Sequence, residues 1–274
     1  MTFDLSLNIE ETNTVIKLFI KTYVENTKSK SVVLGLSGGI DSAVTALLCQ
    51  QVLGKKHVKC LFLPDESTPK KDRVDLKTFV ETFEVDCNTK DITDLIGNVE
   101  DQGEMILDKM SRANLKARLR MLLLYAYANT TKSLVCGTSN KSELLIGYFT
   151  KYGDGGVDLM PLGDVYKSQV WELAKSLRLP KCMIEKPPTA GLWKGQTDEK
   201  ELNMKYTQLD QILYGLERKM DFSFIADKTD STVDDVERIH QMRVLSQHKR
   251  NLPLIPKIGL RTPGLDWRSP VQNG

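Results

Sequence analysis

The sequence predicts an α/β fold, a parallel sheet covered by helices on both faces. Three observations predict it. Short β-branched runs alternate with helical stretches through the first 180 or so residues. A glycine-rich loop stands directly between the first of these strands and the helix after it. The composition is that of an ordinary globular chain, 274 residues with 41% hydrophobic and 27% charged, and no repeat or low-complexity tract is visible.

Taken in order, residues 9–24 place Val15, Ile16, Phe19, Ile20 and Tyr23 at helical spacing behind a capping pair, Asn8 with Glu11. Residues 31–36 read as a buried strand, 43–53 as an apolar helix and 58–63 as a second strand ended by Pro64. A helix with both charge signs follows at 70–82, a candidate third strand at 83–87, one long helix at 104–128 and a further strand at 133–137. After Gly137 the pattern loosens: a turn-rich loop at 152–156, a helix at 167–177, and an irregular stretch at 186–191 imposed by Pro187 and Pro188. Residues 202–220 and 233–247 read as two more helices, and a proline-bearing tail begins at Asn251. The expectation is one domain over 1–274. Its parallel-sheet core runs over about 30–180 and its helical and extended C-terminal part over about 185–274.

Several function classes are excluded on the same grounds. A net charge of +2 makes no case for wrapping nucleic acid, so any phosphate site must be local. The longest strongly apolar stretch, 121–128, is too short to span a bilayer and follows Lys116, Arg118 and Arg120. The N-terminus shows no signal-peptide pattern. Cys49, Cys60, Cys87, Cys136 and Cys182 form no Cys-x-x-Cys pair, which argues against a disulfide framework, a zinc knuckle and a dithiol centre. Cys49, Cys60 and Cys136 sit in apolar runs as small buried hydrophobes, and a cytoplasmic location is expected.

The chemistry concentrates in Gly35-Leu36-Ser37-Gly38-Gly39-Ile40-Asp41-Ser42. Gly38 and Gly39 can take positive φ and let the backbone approach a ligand. Ser37, Ser42 and the free amides of the next helix then converge on an anion. Asp41 would repel a phosphate unless a divalent cation stands between them, and Mg²⁺ binds in that way, through one or two carboxylates plus phosphate oxygens. The plainer reading is a strand-to-helix turn with Asp41 and Ser42 as caps. The Gly-Lys-Ser/Thr ending of a Walker loop is absent, as is a Gly-x-Gly-x-x-Gly fingerprint.

This loop resembles the pyrophosphate loop of the N-type ATP pyrophosphatases, which cleave ATP between its α and β phosphates. The middle of the chain is more selective: Asn114 through Met121, Gly137-Thr138 through Glu143, Gly147 through Asp154, and Asp158 through Gln169. In that order and spacing the chain, from Ile9 to about Pro256, resembles the ammonia-dependent NAD synthetases in their archaeal style. The resemblance implies a Rossmann-like sheet of the adenine nucleotide alpha hydrolase-like kind with a C-terminal helical elaboration. It implies that Gly35, Leu36, Ser37, Gly38, Gly39, Ile40, Asp41 and Ser42 hold ATP together with Thr138, Lys167 and Thr189, and that Asp41 and Glu143 ligate Mg²⁺. Asp41 and Lys167 would carry the catalysis; Arg118, Lys151, Asp158, His248 and Lys249 would contact deamido-NAD⁺. It also implies ATP and ammonia as co-substrates and a homodimer. The sequence departs from the commoner pattern at Ser139–Ser142, at Gly191 after Ala190 and at Asn203.

Each of these residues also has a bland reading. Asn114 and Arg118 share one helix face, yet Arg118 could equally join Lys116 and Arg120 on a solvated basic face. Glu143 is also well placed as a helix cap, and Lys151 and Lys167 as ordinary surface lysines. His240, on a predicted helix, reads as structural, and His248-Lys249-Arg250 as a basic helix end. No Cys, His and Glu cluster of a glutaminase is visible, so ammonia is expected from solution or from another protein.

Overall fold

A computed structural model describes residues 2–263 apart from Met105 and Lys194; residues 264–274 of the expected tail lie outside the described residues. Helix α1 (Ile9–Asn26) starts at Asn8, whose side chain accepts the Glu11 amide at 3.2 Å. Strand β1 (Val32–Gly35), helix α2 (Ile40–Leu53), β2 (Val58–Phe62), α3 (Lys70–Phe83) and β3 (Cys87–Thr89) follow. Then come α4 (Thr93–Gln102), α5 (Lys109–Thr131), β4 (Leu134–Val135), α6 (Lys141–Ile146) and α7 (Lys167–Ser176). The remainder is helical: α8 (Lys181–Ile184), α9 (Asp198–Leu202), α10 (Tyr206–Glu217), α11 (Phe222–Thr229), α12 (Val233–Leu245) and α13 (Gln247–Arg250).

The four strands are parallel in the order β3-β2-β1-β4. Side chains of a strand alternate between faces, and β1 shows it: Val32 and Leu34 enter the core with α1, α2, α3 and α7, while Val33 enters the core with α4 and α5. Burial on both sides is why these strands read as continuous apolar runs. Helix α2 is buried along most of its length, from Ile40 to Gln50, and so lacks a polar face. A separate apolar core forms among α10, α11 and α12, around Tyr206, Leu209, Ile212 and Ile239, and includes Ile146 of α6 and Tyr166 just before α7.

Four expectations need correction. The third strand is Cys87–Thr89, because α3 continues through Phe83 and ends on Glu84 in the left-handed region. The long helix begins at Lys109, not at 104: Asp108 accepts the Ser111 amide at 2.6 Å and fixes the start, and α4 precedes it. The helix expected at 202–220 is α10 and runs only over Tyr206–Glu217; Leu202 instead ends α9, which Asn203 closes at φ 50°. Helix α11 was not foreseen.

From β1 the chain moves outward through β2 to β3, then returns to the other side of β1 as β4. The reversal lies between β1 and β4. In open parallel sheets the loops after two such strands diverge and leave a crevice at their carboxyl ends, where ligands bind. Here those loops carry Ser37–Ser42 and Thr138–Glu143.

Candidate active site

The loop after β1 adopts a tight, self-bonded form. Gly38 has φ +79°, a conformation that favours glycine, whereas Gly39 has φ −91° and needs no such freedom, contrary to expectation. The Gly39 amide donates to Ser37 Oγ at 3.2 Å, and Ser42 Oγ accepts the Ser37 amide at 3.2 Å. No side chain caps α2, so its first amides remain directed at the crevice. Leu36 and Ile40 are core residues, so only their backbones can face a ligand.

Asp41 points to the loop after β4. Its Oδ1 accepts from Asn140 Nδ2 at 3.0 Å and its Oδ2 from Lys167 Nζ at 2.5 Å. Lys167 Nζ lies 3.5 Å from Glu143 Oε1 on its other side. The three residues come from the starts of α2, α6 and α7, so the sheet edge and three helix origins assemble one centre. Glu143 is also the acid of a capping box: it accepts the Asn140 amide at 3.3 Å while Asn140 Oδ1 accepts the Glu143 amide at 3.1 Å. The bland reading of Glu143 therefore holds beside the functional one, because one carboxylate oxygen serves each.

The centre holds two carboxylates and one ammonium. Enclosure pushes the Glu143 carboxyl up to about 8, with Lys167 opposing and the Asp41 charge adding to the rise. Burial alone disfavours the Lys167 ammonium, whose side chain is 3% exposed, yet Asp41 and Glu143 outweigh it and hold its pKa above that of an ordinary lysine. Asp198, a third buried carboxylate, lies near enough for its charge to act on both and is itself raised by burial. It accepts the Ala190 amide at 2.9 Å and the Tyr206 hydroxyl at 3.2 Å, which anchors the stretch carrying Thr189. The Asp41 and Glu143 oxygens that converge on Lys167 are the donor type a hard divalent cation such as Mg²⁺ takes, and a cation there would favour the ionised Glu143.

The other residues named from the sequence fall into groups. Thr138 is half-buried at the end of β4, and Thr189 Oγ1 accepts the Gly191 amide at 3.1 Å. Lys151, His248 and Lys249 meet at a second corner: Lys151 Nζ donates to the His248 carbonyl at 2.7 Å, and Lys249 Nζ to the carbonyls of Gly147 and Phe149 at 2.7 and 2.9 Å. Burial lowers the Lys249 pKa. Arg118 is exposed one turn beyond Asn114, which ties α5 to this corner by accepting from Thr150 Oγ1 at 2.8 Å. Asp158 uses both oxygens internally, accepting the Tyr125 hydroxyl at 3.1 Å and the Val135 amide at 2.7 Å. His240 packs on Phe222, with ring centroids 5.3 Å apart.

Sequence reasoning missed Asn140, Lys186 and the cluster after β2. Asn140 had a signal, the Asn-x-x-Glu of its capping box. Lys116 had none. It is not on a solvated face but 2% exposed, held by Asp65 at 3.3 Å and Glu66 at 3.1 Å, and Arg120 joins Asp65 at 2.8 Å.

A glycine-rich loop at the switch point of a parallel sheet, beside an acidic centre fixed by a buried lysine, is an arrangement in which α/β proteins bind nucleotides. The sequence profile of the NAD synthase family matches residues 12–253, and the chain belongs to that family. It is 42% identical to the NH(3)-dependent NAD(+) synthetase of Methanocaldococcus jannaschii over 254 residues, 92% of this chain and 98% of the relative. Among solved structures it resembles the NMN synthetase from Francisella tularensis, with 34% identity and a TM-score of 0.82 over 92% of this chain and 100% of that one. It also resembles the NH3-dependent NAD synthetase from Campylobacter jejuni in complex with the nitrate ion, with 31% identity and a TM-score of 0.78 over the same shares of each chain.

Proposed function

We propose that this chain joins ammonia to the nicotinate carboxylate of deamido-NAD⁺ and converts ATP to AMP and pyrophosphate as it does so. The observation that carries the reading is the Asp41–Lys167–Glu143 centre beside the phosphate loop, in a chain of this family. A carboxylate has no leaving group and resists ammonia, so it must first be activated. The carboxylate oxygen attacks the α-phosphorus, the bond from that phosphorus to the bridging oxygen breaks, and pyrophosphate leaves with the electron pair. Ammonia then adds to the acyl carbon of the adenylate and AMP departs.

In this reading the loop from Gly35 to Ser42 cradles the phosphates through backbone amides, and Thr138 and Thr189 contact ATP from the neighbouring loops. Arg118, Lys151, His248 and Lys249 form the corner for deamido-NAD⁺, while Asp158 shapes it by holding Tyr125 and β4. Asp41 and Glu143 would hold Mg²⁺, which when bound supplies positive charge to the phosphate oxygens. Lys167 orients both carboxylates and adds a fixed cation in a sheltered site, where such charge stabilises a transition state most. Family resemblance together with the apolar surface of α5 supports a homodimer. Among the described residues no helix is long and apolar enough to cross a membrane.

The likeness to an NMN synthetase favours one second reading, in which the substrate is the mononucleotide rather than the dinucleotide. Pyrophosphate release is therefore to be measured with ATP, Mg²⁺ and ammonium beside deamido-NAD⁺, nicotinate mononucleotide, xanthylate or aspartate in turn. Turnover is expected with deamido-NAD⁺, and glutamine is not expected to replace ammonium. Preference for the mononucleotide selects the second reading; turnover with xanthylate or aspartate alone overturns both.

A further inference from the structure

Lys186 lies between α8 and α9, just before Pro187 and Pro188, in a stretch that has no helix of its own. Its ammonium reaches back to the phosphate loop, where Nζ donates to the Gly38 carbonyl at 3.3 Å and pairs with Asp72 Oδ2 at 2.9 Å. The side chain is only 17% exposed. Gly38 is packed in the same corner: a Cβ added there would meet the Asp72 carbonyl at 3.5 Å.

An ammonium carries three N–H donors, and described residues take two of them. The charge of the site gives the third donor a purpose. Lys167 already faces Asp41 and Glu143 and has no charge to spare, while ATP brings several negative charges to the loop. The lysine already seated at the centre is committed to two carboxylates, whereas Lys186 stands against the loop backbone itself.

We infer that Lys186 is a pyrophosphate-binding residue whose ammonium contacts the β or γ phosphoryl oxygens. As the bond from the α-phosphorus breaks, the electron pair moves onto the β-phosphoryl oxygen, and Lys186 meets the charge that grows there. The inference rests on the reading of residues 35–42 as the phosphate loop.

Calorimetric titration of inorganic pyrophosphate, and separately of AMP, tests it with Mg²⁺ present. Lys186→Met is expected to bind pyrophosphate roughly tenfold to a hundredfold more weakly than the parent, with AMP affinity unchanged. Lys186→Arg should retain most of the affinity, and Asp72→Asn should lose none. Unchanged pyrophosphate affinity in Lys186→Met overturns the inference. So does an equal loss for AMP, or an equal loss in Asp72→Asn, because either marks Lys186 as a strut between the loop and α3. If the parent protein binds neither ligand, the phosphate-loop reading itself fails and the inference falls with it.

Discussion

Lys167 is the residue on which the centre depends most, because it stands between two carboxylates that have little access to water. Replacing it with Met removes the one ammonium that contacts both. Truncating one partner of a sheltered ion pair typically costs about 3–5 kcal/mol, since the remaining charge is left uncompensated. Lys167→Met should lose stability of that order in urea melts, and pyrophosphate release should fall by roughly 10²–10³. Adding Asp41→Asn to it should restore part of the stability, because the carboxylate left without its ammonium is then gone. A double variant no more stable than Lys167→Met would show that the uncompensated Asp41 charge is not the source of the loss. The loop was legible in the sequence because glycines, hydroxyls and a carboxylate occupy one short span, whereas Glu143 and Lys167 lie far along the chain and only the family resemblance pointed to them. Lys116 was not legible, because Asp65 and Glu66, which draw it inward, lie some fifty residues away in the chain. Charge pairing between segments leaves no local pattern.

Two short helices, α6 and α7, present Glu143 and Lys167, and what fixes them comes from α10. Asp210 Oδ2 accepts the Ser168 amide at 2.8 Å and its Oδ1 accepts the Ser142 hydroxyl, while Ser142 Oγ accepts the Lys167 amide at 2.9 Å. A carboxylate thus closes the start of α7, where the helix dipole favours negative charge. Burial nevertheless pushes Asp210 up to about 6, against its hydrogen bonds to Ser142 and Ser168 and the charge of Lys167. A raised carboxyl makes the native state hold its proton longer than the unfolded chain does. Its favourable contribution is therefore present below about pH 4 and lost as pH rises through about 6, a swing of about 3 kcal/mol. Asp210→Asn removes that titration and weakens one hydrogen bond, so relative to the parent the variant should gain stability from pH 4 to pH 7. A stability difference that does not change across this range would show that Asp210 does not titrate there. Of the elements, α1, α3 and α7 were legible because their apolar residues keep a helical period, and β1 and α2 because each is a dense apolar run beside the glycine-rich loop. The break at Asn203 and the capped start at Asp108 were not, since periodic apolar residues run on past both.

Among the described residues, exposed apolar side chains lie on α1, on the stretch after α13 and on α5, and α5 is the one that borders a groove. The inward side of that helix buries Ala113, Ala117, Leu119 and Ala128. On its outer side Leu122 is 57% exposed, while Leu123, Leu124 and Tyr127 are partly buried and pack against the core beneath. Leu123, Ala126, Tyr127, Thr130 and Thr131 line one wall of a groove of about 660 Å³, and Leu61, Leu63 and β3 line the other. Among the described residues β3 ends the sheet and its outer backbone groups take no ladder partner, a surface that folded proteins cover or pair. Arg118, Leu122 and Ala126 fall at intervals of four, one row leading into the groove. A second copy related by a two-fold axis would cover this row with the same row, which is the commonest way a homodimer closes. The arrangement also gives Arg118 a setting: alone it projects into solvent, while in a dimer it stands at the edge of the contact beside the corner of Lys151 and Lys249. Light scattering at micromolar concentration is expected to give twice the 30.9 kDa of the chain. Leu122→Glu places two like charges across the axis and should return the mass of one chain. If Arg118 serves the dinucleotide and the loop after β1 serves ATP, as proposed, the same variant should raise KM for deamido-NAD⁺ more than KM for ATP. A parent protein with the mass of one chain would remove this face from the argument. A Leu122→Glu protein that stays dimeric would place the contact elsewhere.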